Sequence, residues 1–256
     1  MKVLLALVAL SSSFFASGAT ATEVVLSAPD AAVSEVNGKC TGKSGAPGVC
    51  IATAKCTSAG GEYISNACPG TPADIKCCTK TSCGGGAGNC RWTSQCQSGL
   101  TIGHMCPGPS DFMCCLPVGD DTPNFPPPGF PAVNPCKQRS VDGARAIVGA
   151  NPGKVREVQC IRDGCTCPGP SDHCCGFAVD LMCSRAGGVA TTAGRSVAEW
   201  VMNHSNELNL KYVIWGQKIW TPSRDAVSPW SQWRDMEDRG SITANHWDHV
   251  HVSFEE

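Results

Sequence analysis

The sequence carries no excess of either charge, with 20 Lys and Arg against 22 Asp and Glu. Without a basic patch or an acidic run, nucleic acid is not an expected partner and no electrostatic tail is in view. Beyond the first dozen or so residues no apolar run is long enough to cross a bilayer. Tyrosine is almost missing, at two residues in 256, and no Cys-x-x-Cys pair occurs among the 19 cysteines. That last absence disfavours zinc ribbons, which need such pairs.

What the chain has in excess is cysteine, and its N-terminus explains why. Met1-Lys2 followed by the apolar run Val3 to Leu10 and the small residues up to Ala19-Thr20-Ala21 reads as a secretion signal over residues 1–21. Secretion puts the cysteines in an oxidising compartment, where they pair as disulfides. Residues 22–39 are small, polar and unpatterned, and read as a spacer.

An internal repeat follows. Cysteines 40, 50, 56, 68, 77 and 78 form one copy (residues 40–80), and 83, 90, 96, 106, 114 and 115 a second (81–117). Both copies place five residues between the second and third cysteines, carry Cys-Pro-Gly at the fourth and end in Cys-Cys. Three disulfides per copy would staple segments too small to hold a core. Adjacent cysteines are poor partners for each other, and the other connectivities stay open. The pattern is similar to clip-like extracellular modules. Residues 118–135 are proline-rich and read as a stiff linker.

Residues 136–256 form the last domain. The expected elements are a short helix over 141–148, a strand over 155–161 and a buried strand over 177–182. A helix capped by Ser196 and Glu199 and ending near Leu210 comes next, then strands at 212–215 and 218–220. Without regular βαβ alternation this is an α+β domain on a largely antiparallel sheet.

The last strand, from His249, alternates polar and apolar residues. It places His249, His251 and Ser253 on one face and Val250, Val252 and Phe254 on the other, as in a half-buried strand. Upstream, His173 precedes Asp180 by seven residues, and Asp180 lies between Val179 and Leu181 in an apolar stretch. A carboxylate in such a place needs a partner. A divalent metal would serve, and His173, Asp180 and His251 meet the three-ligand count of catalytic zinc. Seven cysteines fall in this domain, so one is left over, and Cys174-Cys175 directly follow His173. His104 and His204 read as surface residues, His246 as a neighbour of the site, and the tryptophans between 215 and 247 as core.

His-x6-Asp with a late His-x-His resembles the LAS group of metallopeptidases, in particular the D-alanyl-D-alanine carboxypeptidase-like C-terminal domains of secreted fungal and actinobacterial proteins. The residues carrying it are Ser171 to Asp180, Tyr212 to Trp215, Ile219-Trp220, Met236 to Ser241 and Ala244 to Ser253. The cysteine-rich head lies outside it, and Cys174-Cys175 depart from the small or polar residues usual there. The resemblance implies Zn2+ on His173, Asp180 and His251. His249 would then be the base, with Asp248 the rival three residues before the last ligand. Strand alternation favours His249, and a bulge would reverse that. An oxyanion-stabilising arginine is also implied; Arg162 fits best by spacing, with Arg156 behind it, and a solvated surface arginine is the bland alternative.

The implied function is a secreted zinc peptidase acting on bacterial peptidoglycan stem peptides or cross-links. The enzyme is expected to be monomeric, with its modules as candidate binders of wall polysaccharide. The rival readings are a non-catalytic wall-binding protein and a cysteine-rich effector or antimicrobial protein.

Overall fold

The computed structural model describes residues 34–118 and 124–256. The expected signal peptide and most of the spacer lie outside them. The described residues belong to one compact unit.

The first cysteine-rich segment folds as β1 (Lys39–Thr41), β2 (Pro47–Ala52), α1 (Thr53–Ser58), β3 (Glu62–Ile64) and β4 (Ile75–Thr79), in sheet order β1-β2-β4-β3. The second gives β5 (Asn89–Trp92), β6 (Thr101–Ile102) and β7 (Phe112–Cys115), in order β5-β7-β6. Six disulfides staple them: 40–77, 50–68 and 56–78 in the first, 83–114, 90–106 and 96–115 in the second. Both copies thus pair cysteines one with five, two with four and three with six. The adjacent cysteines at each end reach different parts of the module. Trp92 joins the copies: its indole packs beside Phe112 and donates to Gly48 O at 3.1 Å.

The C-terminal domain contains α2 (Gln138–Ala150), β8 (Glu157–Gln159), β9 (Ala178–Met182), α3 (Ala193–Asn203), α4 (Ser205–Leu208), β10 (Leu210–Trp215), β11 (Lys218–Trp220), β12 (Arg234–Asp235) and β13 (His249–Phe254). Its six strands form one antiparallel sheet in the order β12-β11-β10-β13-β9-β8. The fold is α+β, with antiparallel sheets, few helices and many disulfides. Val250, Val252 and Phe254 of β13, with Val179 and Leu181 of β9 and Val213 and Trp215 of β10, are buried and belong to one core with α2 and α3. Gly194 lets α3 approach closely, since a β-carbon there would lie 2.1 Å from Trp215 Nε1.

Two expectations about elements need correction. The helix starts at Ala193 behind Thr192, rather than being capped by Ser196, and Thr191 Oγ1 accepts from Ala193 N at 3.2 Å. Ser196 lies inside the first turns and accepts from Lys154 Nζ, and Glu199 accepts from Trp230 N instead of closing a capping box. The helix also breaks at His204 rather than running on to Leu210. The second correction concerns β13, which is buried along its whole length rather than on one face. It is a central strand between β10 and β9, so its polar face is covered as well.

Candidate metal centre

The register of the sheet gathers the polar residues. His251 pairs with Asp180 on β9 and Ile214 on β10, while Ser253 pairs with Ala178 and Tyr212. Side chains alternate across a strand, so His249, His251, Ser253, Asp180 and Tyr212 share the face opposite the helices. His173 arrives from outside the sheet, on a single 3-10 turn over Asp172–Cys175. Ser171 caps that turn, and the disulfides 165–174 and 167–175 tie it down. A third disulfide, 136–160, anchors the segment before it. Cys174 and Cys175 therefore offer no thiolate. Among the described residues, Cys183 is the cysteine outside a disulfide, and burial pushes its thiol up to about 12.

Three donor atoms converge. His173 Nε2 lies 3.1 Å from His251 Nδ1 and 3.2 Å from Asp180 Oδ1, and His251 Nδ1 lies 2.9 Å from Asp180 Oδ1. The opposite nitrogens are engaged. His173 Nδ1 faces the carbonyl of Cys160, which can only accept, so that nitrogen carries the hydrogen. His251 Nε2 is 3.0 Å from Ser253 Oγ. With its hydrogen on Nδ1, a neutral His173 turns the Nε2 lone pair toward the Asp180 carboxylate. Two imidazoles and one carboxylate this close are a donor set that suits zinc.

The electrostatics agree. Burial works to raise the Asp180 pKa, but His173 and His251 beside it outweigh that and hold the carboxyl well below its ordinary range. His173, although partly desolvated, is raised by Asp180 and by the Cys160 carbonyl. His251 is lowered, first by burial and then by the neighbouring imidazoles, despite Asp180.

His249 stands beside the triangle, its Nε2 3.7 Å from Asp180 Oδ1. Its Nδ1 is 2.7 Å from Asp248 Oδ1. Asp248 is buried and turned away from the donor triangle; its other oxygen accepts from Gly188 N at 2.8 Å and from the Thr243 hydroxyl. Burial would raise its pKa, yet the bonds from His249, Thr243 and Gly188 hold it down. The pair places a carboxylate behind the imidazole and leaves Nε2 facing the cluster.

Arg156 is committed elsewhere, to Ser184 O at 3.0 Å and Glu157 at 2.9 Å. Arg162 is exposed, and its charge is felt at His173. Cys165–Cys174 and its neighbouring disulfide keep that loop near the site.

Three residues near the site escaped the sequence reading or were left at its margin. Tyr212 stacks on His251, with centroids 5.5 Å apart. Asp172 receives Lys211 Nζ at 2.9 Å, one residue before His173. His246 is buried with φ +56°, its ring 4.7 Å from that of His249 and its Nδ1 without a partner among the described residues. Burial, then the charges of His249 and His251, drive its pKa down to about 3. Periodicity marked the faces of β13, but His246 sits in a left-handed turn before that strand, which no periodic pattern reveals. His104 is exposed near Asp238, His204 stacks on Trp200, and Trp215, Trp230 and Trp247 pack together in the core.

A secreted, uncharacterized protein of Arthroderma benhamiae is 58% identical to this chain, over 87% of this chain and 96% of its own length. The chain belongs to that protein's family. It is a secreted, disulfide-rich protein, as its cysteine usage requires. Residues 132–247 match the family described as VldE, C-terminal domain. That match includes His173 and Asp180 and stops just before β13, which carries His249 and His251. No solved structure matches the chain.

Proposed function

We propose that this protein is a secreted zinc-dependent peptidase that hydrolyses peptide bonds in bacterial peptidoglycan stem peptides or their cross-links, of the D-alanyl-D-alanine carboxypeptidase or endopeptidase type. The observation that carries the catalytic part is the triangle of His173 Nε2, Asp180 Oδ1 and His251 Nδ1, with His249 Nε2 beside it. The substrate class comes from the resemblance of residues 160–254 to the LAS metallopeptidases.

His173, Asp180 and His251 would hold the ion, leaving a coordination position free for solvent or substrate. When bound, zinc lowers the pKa of water and polarises a carbonyl. The remaining steps belong to the chain. Asp248 keeps hydrogen on His249 Nδ1, so Nε2 is free to take a proton from the attacking water and pass it to the leaving amine. In this arrangement Asp248 is the positioning residue and His249 the base. Arg162 would meet the oxyanion, a role worth a few kcal/mol of barrier. Ser253 holds the far side of the His251 ring, as outer partners of metal-bound histidines do.

The test is mass spectrometry of soluble fragments released from purified peptidoglycan by the zinc-loaded protein, with and without a chelator. Metal-dependent loss of terminal alanine, or of a cross-link, is the expected result, abolished in His251→Ala. No cleavage by folded, zinc-loaded protein would leave the wall-binding reading in its place.

A further inference from the structure

The second cysteine-rich segment touches the C-terminal domain at a glycine run. Gly84 O accepts from Ala190 N at 3.0 Å. Gly85 has φ +71°, and a β-carbon built on it would lie 2.3 Å from Gly188 O and 2.9 Å from Val189 Cα. Position 85 thus needs glycine twice, for its left-handed backbone and for the peptide pressed against it.

The residue whose carbonyl it presses is not a bystander. Gly188 N–H is the donor to Asp248 Oδ2. The segment around it is stitched to the approach of β13 on both sides: Cys183 N and Ser184 N donate to Asp248 O at 3.1 and 3.0 Å, and Thr191 N donates to Trp247 O at 2.9 Å. Asp248 Oδ1 in turn holds His249 Nδ1 at 2.7 Å. A series of contacts runs from Gly85 through the carbonyl and the N–H of Gly188, then Asp248, to the imidazole of His249.

We infer that the second cysteine-rich segment is a positioning element of the site: Gly85 braces Gly188 at its carbonyl, and the N–H of that same residue fixes Asp248 and through it the direction of His249 Nε2. The role assigned to His249 rests on the peptidase reading, whereas the bracing itself does not. A six-cysteine staple is well suited to this, because its backbone is held by disulfides 83–114 and 90–106 on either side of the contact. The segment would then be part of the working enzyme rather than a detachable tether.

The experiment compares Gly85→Ala with Gly99→Ala in the full secreted chain. Gly99 lies in the same segment at φ +67°, with open space around its missing side chain, so it reports backbone strain alone. Two readouts are taken. One is the downfield proton resonance of His249 Nδ1–H, which depends on the bond to Asp248 and needs no turnover. The other is kcat and KM on peptidoglycan fragments, with zinc content measured in parallel. Gly85→Ala should shift or broaden the resonance and lower kcat by about 10- to 100-fold, the scale on which displacements of about 1 Å act. KM and zinc content should stay unchanged, and Gly99→Ala should match the wild type. Ala190→Pro deletes the donor to Gly84 O and offers a second way to loosen the contact should Gly85→Ala not fold. An unchanged resonance in both loosened variants, or an equal effect of Gly99→Ala, overturns the inference. If the wild-type protein cleaves nothing, the peptidase reading fails, and the resonance alone decides whether the brace exists.

Discussion

Asp180→Asn tests the metal centre with little change in shape. The three donor atoms form a triangle with edges of 2.9, 3.1 and 3.2 Å. A four-coordinate zinc with bonds of 2.0–2.1 Å sets its ligand atoms about 3.3 Å apart, so the donors need spread by only a few tenths of an ångström. The fold supplies that arrangement through the His251–Asp180 register, which the substitution leaves intact. Zinc at 1,000 times its dissociation constant stabilises a protein by about 4 kcal/mol. For a unit of this size each kcal/mol is worth about 2–4 °C in Tm, so the wild-type protein should gain roughly 8–16 °C. Loss of even an outer-shell partner lowers metal affinity by about 10–100-fold, and removing a charged ligand should cost at least about 100-fold. At the same zinc concentration the variant then keeps about 1.4 kcal/mol of stabilisation, or roughly 3–6 °C. Thermal unfolding with and without zinc, alongside competition against a chromophoric chelator, measures both quantities. Equal zinc stabilisation of Asp180→Asn and wild type would refute the assignment.

Gly194→Ala should destabilise the domain by about 1–3 kcal/mol through overpacking, since the new carbon meets Trp215 Nε1 at 2.1 Å. Gly149→Ala, in α2 with nothing within 4 Å, should instead stabilise by about 0.5–1 kcal/mol; denaturant unfolding of both gives the contrast, and two effects of one sign would sink the argument. Asp225 is bound by Arg234 Nε at 2.9 Å and by Thr221 N at 2.9 Å. Burial would raise its pKa, but these bonds and the Arg234 charge bring it below the ordinary carboxylate value. Because the folded pKa is depressed, its contribution is complete above the ordinary carboxylate pKa and fades as pH falls through the lower, folded one. Wild type should therefore exceed Asp225→Asn in stability at neutral pH and converge with it in acid. A gap that persists unchanged into strong acid would show that the bond is not what separates them.

Local pattern carried much of this molecule. The repeated six-cysteine spacing marked both modules and their closed sets of disulfides, because a segment too small for a core must be cross-linked. It could not choose among connectivities, which depend on how β2, β4, β5 and β7 pair. Alternation from His249 onward identified the two faces of β13, since a strand's side chains alternate whatever surrounds it. It could not tell that β13 is central, because flanking strands come from distant parts of the chain.

The site divides along the same line. By itself the sequence determined the chemical types, two imidazoles and a carboxylate in contexts where a bare charge is costly, and the direction in which His251 and Asp180 each point. The tertiary structure alone decided that His251 pairs with Asp180 across β9 and β13, that a disulfide-tied turn delivers His173 to the same spot, and that Asp248 supports His249 instead of facing the donors. It also brought Gly85 against Gly188, roughly a hundred residues away in the chain. Hydrogen-bonding capacity belongs to a residue and can be read one letter at a time. Proximity between remote residues belongs to the whole fold, and exists only once the sheet has closed.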